Sequence, residues 1–131
     1  MNLVSITDVR GGLNTLLETT GELKGEARKG IYPERLNNKS LAMIFDKPST
    51  RTRVSFEVAM AQLGGHAIYL DITSMQLRRG ETIKDTALTL GRYVDAMIVR
   101  AGSHLDLLEL SEYSRVPVIN GLTDLEHPCQ A

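Results

Sequence analysis

Apolar and polar positions along the chain follow two alternating periods. From position 9 to position 23 a valine and four leucines recur at roughly helical spacing, and Thr7 or Asp8 is expected to cap this first helix. Short continuous apolar runs then alternate with segments of helical period, and such runs are typical of strands buried on both faces. The predicted strands span residues 41–45, 66–70, 96–99 and 116–119, and the helices between them residues 50–63, 81–93 and 105–113.

The order of these elements predicts an α/β fold. One helix, three strand–helix pairs and a final strand imply a three-layer domain with a four-stranded parallel sheet flanked by helices. Gly25, Gly30 and Pro33 indicate a basic, flexible connector before the first strand. In the second helix, the apolar positions expected to face the core are Phe56, Ala59, Met60 and Leu63.

Composition narrows the class of protein. The 131 residues suit one domain, and a hydrophobic content of 42% excludes wholesale disorder. A net charge of −1 excludes a global basic field, so no nucleic-acid or membrane partner is expected. Apolar runs are too short to span a membrane, and the first residues lack the layout of a secretory signal. Cys129 is the single cysteine, so neither an internal disulfide nor a cysteine metal cluster is expected, and the default location is cytoplasmic.

The last residues resemble the start of another helix. Pro128 suits a first helical turn, but the sequence stops at Ala131, before one turn is complete. We therefore interpret residues 1–131 as a first domain that is cut before its next helix. The apolar sheet surface left uncovered by that helix is expected to favour self-association. The alternative is a natural C-terminus with a frayed tail.

Polar residues follow each predicted strand, where ligands of parallel sheets bind. After the first strand, Ser49, Thr50, Arg51 and Thr52 lie at a strand–helix junction, where free helical amides and the helix dipole favour an anion. Their three hydroxyls and the Arg51 guanidinium suit phosphate oxygens. The alternative is an ordinary helix cap, with Arg53 paired to Glu57 one turn later.

The later strands add further polar candidates. Arg100 ends an apolar strand and is expected to face a cleft, unless Asp95 or Asp106 holds it at the surface. His127 and Gln130 lie three residues apart at a helix start, so that both can face one ligand. Cys129 is interpreted as a small buried filler rather than a nucleophile. Arg78 and Arg79 are interpreted as a solvated loop pair, with the steering of anions as the alternative.

The motif at residues 45–57, the arginine that ends the third strand and the His127–Gln130 motif together resemble the aspartate/ornithine carbamoyltransferase superfamily, and most closely its ornithine branch. The resemblance covers essentially the whole chain. It implies that Ser49, Thr50, Arg51 and Thr52 hold the phosphate of carbamoyl phosphate. Arg100, His127 and the Thr50 hydroxyl are then expected to polarise the carbamoyl oxygen, which makes Arg100, His127, Thr50 and Arg51 the catalytic candidates. Gln130 is expected to bind the carbamoyl nitrogen, Pro128 and Cys129 to complete the binding motif, and Gln76 to reach a neighbouring subunit's site in a homotrimer.

The activity implied by the resemblance is carbamoyl transfer to the side-chain amine of L-ornithine, giving L-citrulline and phosphate in arginine biosynthesis, without a metal or organic cofactor. Putrescine or another amine is an alternative acceptor, because the substrate-selecting second domain of such enzymes is missing. A noncatalytic anion-binding or assembly module is the alternative outside the enzymes. Because the second domain is missing, we expect this chain alone to bind carbamoyl phosphate but to turn over poorly.

Overall fold

A computed structural model describes residues 2–75 and 80–130 of the chain. Four parallel strands form one sheet, and helices alternate with them along the chain. The strands are β1 (Ser40–Phe45), β2 (His66–Asp71), β3 (Ala96–Arg100) and β4 (Val118–Asn120), and their order in the sheet is β2-β1-β3-β4. The helices are α1 (Leu13–Arg28), α2 (Thr50–Gln62), α3 (Ile83–Leu90) and α4 (His104–Tyr113). The predicted α/β fold is confirmed.

Alternate residues of β1 enter two separate cores. Ala42 and Ile44 pack on one face of the sheet with Ala87 of α3 and Leu107 of α4. On the other face the odd-numbered residues of β1 pack with Met60 of α2. Because successive side chains of a strand point to opposite faces, a strand between two layers must be apolar at every position. The continuous run in β1 therefore indicates the three layers directly.

The α2 face of the sheet is less completely covered than the α3–α4 face. A groove of about 550 Å³ runs between α2 and the sheet, and Phe56, Leu63 and Ile119 are among its lining residues. Met60 is buried, and Phe56 and Leu63 are half-buried as expected. Ala59 is exposed, and its predicted burial is wrong, because this side chain lines the open groove instead of a closed core.

The first helix differs from the prediction. Residues Ile6–Val9 form a separate 3₁₀ turn that Ser5 caps, with Asp8 completing the capping box, and α1 begins only after Gly12. Neither Thr7 nor Asp8 is therefore the cap of α1. Gly25 lies inside α1 and not in the connector. None of the residues of α1 is buried. Its leucines therefore have helical spacing but do not belong to the core.

Two element boundaries move for local reasons. α3 is shorter than the predicted 81–93, because Thr82 caps its start and Gly91 ends it. β4 begins two residues later than predicted. Pro117 has no N–H to donate, although its carbonyl accepts a hydrogen bond from the Met97 amide at 2.9 Å.

The N-terminal segment extends the sheet beyond β4. Leu3 pairs with Ile119 in a parallel bridge; its amide donates to the Val118 carbonyl at 2.8 Å, and its carbonyl accepts from the Asn120 amide at 2.8 Å. Residues that precede the first helix therefore lie beside the strand that leads to the His127–Gln130 motif. No helix in the described ranges is both long and apolar enough to cross a membrane.

Candidate anion-binding site

The order in which strands are added to the sheet reverses at β1, so that the ends of β1 and β3 lie side by side. From β1 the chain moves outward to β2 and then returns across β1 to form β3. Phe45 and Arg100 are register partners, and the Asp46 amide donates to the Arg100 carbonyl at 2.8 Å. Ligands of open parallel sheets bind at such switch points, beyond the carboxyl ends of the strands. Arg100 therefore borders the segment that leads to α2.

The N-terminus of α2 is open to a ligand. Ser49 occupies the N-cap with extended backbone, but its side chain makes no capping hydrogen bond, and no acidic residue lies in the first turn. Thr50 is the first helical residue, and Arg51 and Thr52 follow, the first exposed and the second buried. Neither the Ser49 side chain nor an acidic residue of the first turn therefore offsets the partial positive charge of the helix start.

The alternative interpretation of this junction is supported only in part. Arg53 does pair with Glu57, at 2.9 Å between Nε and Oε1, and its guanidinium also stacks 3.9 Å from the centre of the Tyr69 ring. This ion pair engages Arg53, which leaves Arg51 as the arginine of α2 that lines the cleft described next.

A cleft of about 260 Å³ joins the start of α2 to the end of the chain. The predicted site residues that line it are Arg51, Thr52, His127, Cys129 and Gln130. The fold therefore brings together two motifs that are about 75 positions apart in the sequence. Ser55 and Phe56 also line the cleft and were not predicted. Their spacing of three and four residues from Thr52, one helical turn, was the signal that could have identified them.

His127 presents unsatisfied hydrogen-bonding groups. Both ring nitrogens are buried, and neither has a partner in the described part of the chain. Burial lowers the pKa of His127, and the charge of Arg100 lowers it further. A neutral imidazole carries one N–H donor and one acceptor at neutral pH, so this group is suited to donate a hydrogen bond to an uncharged carbonyl oxygen.

Arg100 has a similarly unsatisfied donor. Its Nε is buried and has no hydrogen-bond partner among the described residues. Asp95, one of the two expected alternative partners, accepts instead from Lys39 Nζ and the Ser40 amide, each at 2.8 Å, and these hydrogen bonds lower the pKa of Asp95. Arg100 lines a second, smaller cleft of about 110 Å³ with Lys47 and Asp124.

Cys129 is not a buried filler as predicted, because the residue is exposed. Its thiol nevertheless donates a hydrogen bond to the Asn120 carbonyl at 3.3 Å, and burial of the sulfur raises the pKa of the thiol. A protonated thiol is a poor nucleophile. The side chain therefore attaches the motif to the end of β4.

The remaining predicted residues have simpler positions. Pro128 is buried and begins the 3₁₀ turn Pro128–Gln130, in agreement with its expected place at a helix start. Gln76, Arg78 and Arg79 lie outside the described residues. Within the described ranges, no cluster of three or more His, Cys, Asp or Glu residues is arranged to hold a metal ion.

Comparison with known proteins identifies the family. The family model for the carbamoyl-phosphate-binding domain of aspartate/ornithine carbamoyltransferases matches residues 1–131. The chain belongs to this family. It is 61% identical over 117 residues to the ornithine carbamoyltransferase of Pyrococcus abyssi, covering 89% of the chain and 37% of the relative. It is 55% identical over 130 residues to that of Archaeoglobus fulgidus, covering 98% and 42%.

A solved carbamoyltransferase has the same fold. The ornithine carbamoyltransferase of Pyrococcus furiosus superposes with a TM-score of 0.94 at 55% identity, covering 98% of this chain and 42% of that one. The chain thus spans about two fifths of the length of these carbamoyltransferase relatives.

Proposed function

We propose that this chain is the carbamoyl-phosphate domain of an ornithine carbamoyltransferase, which transfers the carbamoyl group to the side-chain amine of L-ornithine. The observation that carries the proposal is a set of polar groups around one strand-end region that have no hydrogen-bond partner among the described residues: the uncapped start of α2, the two ring nitrogens of His127 and the Nε of Arg100. Buried polar groups are nearly always paired in folded proteins, so such a set favours a polar ligand.

The phosphate end of the substrate is assigned to the start of α2. Amides of the first helical turn, the hydroxyls of Ser49, Thr50 and Thr52, and the Arg51 guanidinium supply donors to its oxygens. As phosphate leaves, its negative charge increases, and the helix start and Arg51 stabilise it. This contribution grows along the reaction and therefore lowers the barrier.

The carbamoyl end is assigned to the later strand ends. His127, Arg100 and the Thr50 hydroxyl donate to the carbonyl oxygen, where negative charge develops when the uncharged amine attacks the carbon. Each well-aimed donor of this kind contributes about 3 kcal/mol to stabilisation of the transition state. Gln130 orients the carbamoyl nitrogen. A C–N bond forms, the C–O bond to phosphate breaks, the proton lost by the amine is taken up by the departing phosphate, and citrulline and hydrogen phosphate result.

The complete enzyme is proposed as a cytoplasmic homotrimer of arginine biosynthesis, in which Gln76 reaches the site of a neighbouring copy. Ornithine is favoured over putrescine because the relatives from Pyrococcus abyssi and Archaeoglobus fulgidus are named ornithine carbamoyltransferases, and the relative from Pyrococcus furiosus, 60% identical to this chain, is named an anabolic one. By the resemblance to this family, we expect the residues that select the amine to lie in the part of the relatives that this chain does not match. We accordingly expect the 131-residue chain to bind carbamoyl phosphate and to form citrulline only slowly.

Titration of the chain with carbamoyl phosphate in a calorimeter tests the proposal. Saturable binding is expected, and Arg51→Ala should weaken it about 100-fold, because a charge-assisted hydrogen bond to phosphate is worth about 2–3 kcal/mol. Arg92→Ala is the control, since Arg92 is an exposed arginine that follows α3. Equal affinities for the two variants would refute the assignment of Arg51, and no binding by the unmodified chain would favour a purely structural module.

A further inference from the structure

Glu126, the residue before His127, links the two ends of the chain. Its carboxylate accepts hydrogen bonds from the Ser5 hydroxyl at 3.2 Å and from the Ile6 amide at 3.0 Å. These contacts span about 120 positions of sequence, and they attach the loop after β4 to the 3₁₀ turn at the N-terminus.

The backbone of Glu126 is held as well. Its carbonyl accepts from the Thr123 amide at 3.1 Å and from the side-chain amide of Asn120 at 3.3 Å. Asn120 has no exposed surface, and the same Nδ2 also donates to the Val4 carbonyl at 2.9 Å. The N-terminal segment and the loop are therefore joined through the backbone and the side chain of Glu126.

Among residues 2–75 and 80–130, none forms a hydrogen bond with the His127 side chain that would orient it. Both of its ring nitrogens lack partners in the described part of the chain. The direction of the imidazole must therefore come from its backbone and its packing. On the C-terminal side, buried Pro128 and the hydrogen bond from the Gln130 amide to the His127 carbonyl at 3.0 Å restrain the backbone. On the N-terminal side, Glu126 is the restraint.

We propose that Glu126 is a positioning residue. By anchoring the backbone before His127 to the N-terminal 3₁₀ turn, it directs the imidazole into the cleft that His127 shares with Arg51. This inference deepens the proposed function and rests on it for the identity of the ligand. Small displacements of a positioned group cost much of its effect on a bound ligand, so the contact acts on the site without touching the ligand.

The chain provides a matched control for a merely structural role. The Asp8 carboxylate caps the same N-terminal turn, accepting from the Val4 and Ser5 amides at 2.9 Å each. Asp8→Ala therefore removes a cap from that turn without removing any donor or acceptor atom of the Glu126 contacts. Glu126→Ala removes the contacts to the loop, and Glu126→Gln keeps one side-chain oxygen as an acceptor.

Three measurements on the full 131-residue chain test the proposal: carbamoyl phosphate affinity by calorimetry, urea unfolding, and the pH titration of the His127 ring by NMR. Glu126→Ala is expected to weaken carbamoyl phosphate binding about tenfold and to move the His127 titration toward its ordinary value. Glu126→Gln should shift both in the same direction by less. Asp8→Ala should lower stability while changing neither.

Equal affinity and an equal His127 titration in Glu126→Ala and Asp8→Ala would overturn the positioning role. Glu126→Gln, the milder change, preserves the comparison if the alanine variant does not fold. The NMR titration needs no ligand. Absence of carbamoyl phosphate binding in the unmodified chain would therefore count against the proposed function alone, while the titration still decides the role of Glu126.

Discussion

The helices α2 and α4 both begin after a serine, but the two helix starts differ in side-chain capping. Each follows one of two adjacent parallel strands, and each has a serine with extended backbone at its N-cap, Ser49 in α2 and Ser103 in α4. The Ser103 hydroxyl accepts from the Asp106 amide, and the Asp124 carboxylate accepts from the His104 amide at 2.8 Å. Ser49 makes no such hydrogen bond.

The difference distinguishes a helix start whose amides are satisfied by side chains from one that is left open to a ligand. α4 carries an acidic residue in its first turn and is capped by the chain itself. α2 has neither feature and carries Arg51 and Thr52 in the corresponding turn. Side chains that satisfy free amides stabilise a helix but occupy the place that an anion needs. A helix start is therefore open to an anion only where side chains of the protein do not already occupy its free amides.

An acid placed at both caps should give the largest contrast. Ser49→Asp is expected to weaken carbamoyl phosphate binding about 100-fold or more, because a carboxylate competes for the amides and repels the phosphate. Ser103→Asp at α4 is the matched control and should bind as the unmodified chain does. Calorimetric titration measures both, and similar losses in the two variants would show that binding is not located at α2.

Removal of the two N-cap hydroxyls should affect the stability of α4 more than that of α2. This order is the reverse of the one expected for binding. Ser103→Ala is expected to lower the free energy of unfolding by about 1 kcal/mol, because it removes a capping hydrogen bond. Ser49→Ala should change it by only a few tenths of a kcal/mol, since no such bond is present. Urea denaturation without phosphate checks this, and a larger loss in Ser49→Ala would mean that Ser49 caps α2 in solution.

The smallest predicted effect concerns His127, which lines the cleft beside the start of α2. Burial lowers the pKa of His127 in the folded chain, so the unfolded chain binds more protons between the two pKa values. The free energy of unfolding should therefore fall as the pH is lowered through about 6.5, and this contribution should level off below the folded-state pKa. Urea denaturation over a pH series should show a smaller fall in His127→Gln. Parallel curves would mean that His127 is as solvated in the folded chain as in the unfolded one.

The sheet was predictable from local patterns because each buried strand is apolar at successive positions. β1 and β3 were placed to within one residue for this reason. Errors arose where the deciding contact is not local. The leucine period of α1 indicates a helix, but it does not reveal that none of its residues is buried. Similarly, Ala59 has the right spacing for a core, but it lines an open groove.

The candidate site divides in the same way. Residue types and spacing predicted Arg51, Arg100, His127 and Gln130 as site residues; the structure brings Arg51, His127 and Gln130 to one cleft, whereas Arg100 lines the smaller one. Spacing could not predict Glu126 as the link to Ser5, since that contact depends on the N-terminal segment lying beside β4.

By itself, the sequence determined the alternation of strands and helices and the chemistry of the strand ends, because both depend on neighbours within about one helical turn. Only the tertiary structure decided which helix start is left open, and that His127 lies in a cleft with Arg51. Those outcomes depend on the order of strands in the sheet and on contacts between residues more than 70 positions apart, to which no local pattern is sensitive.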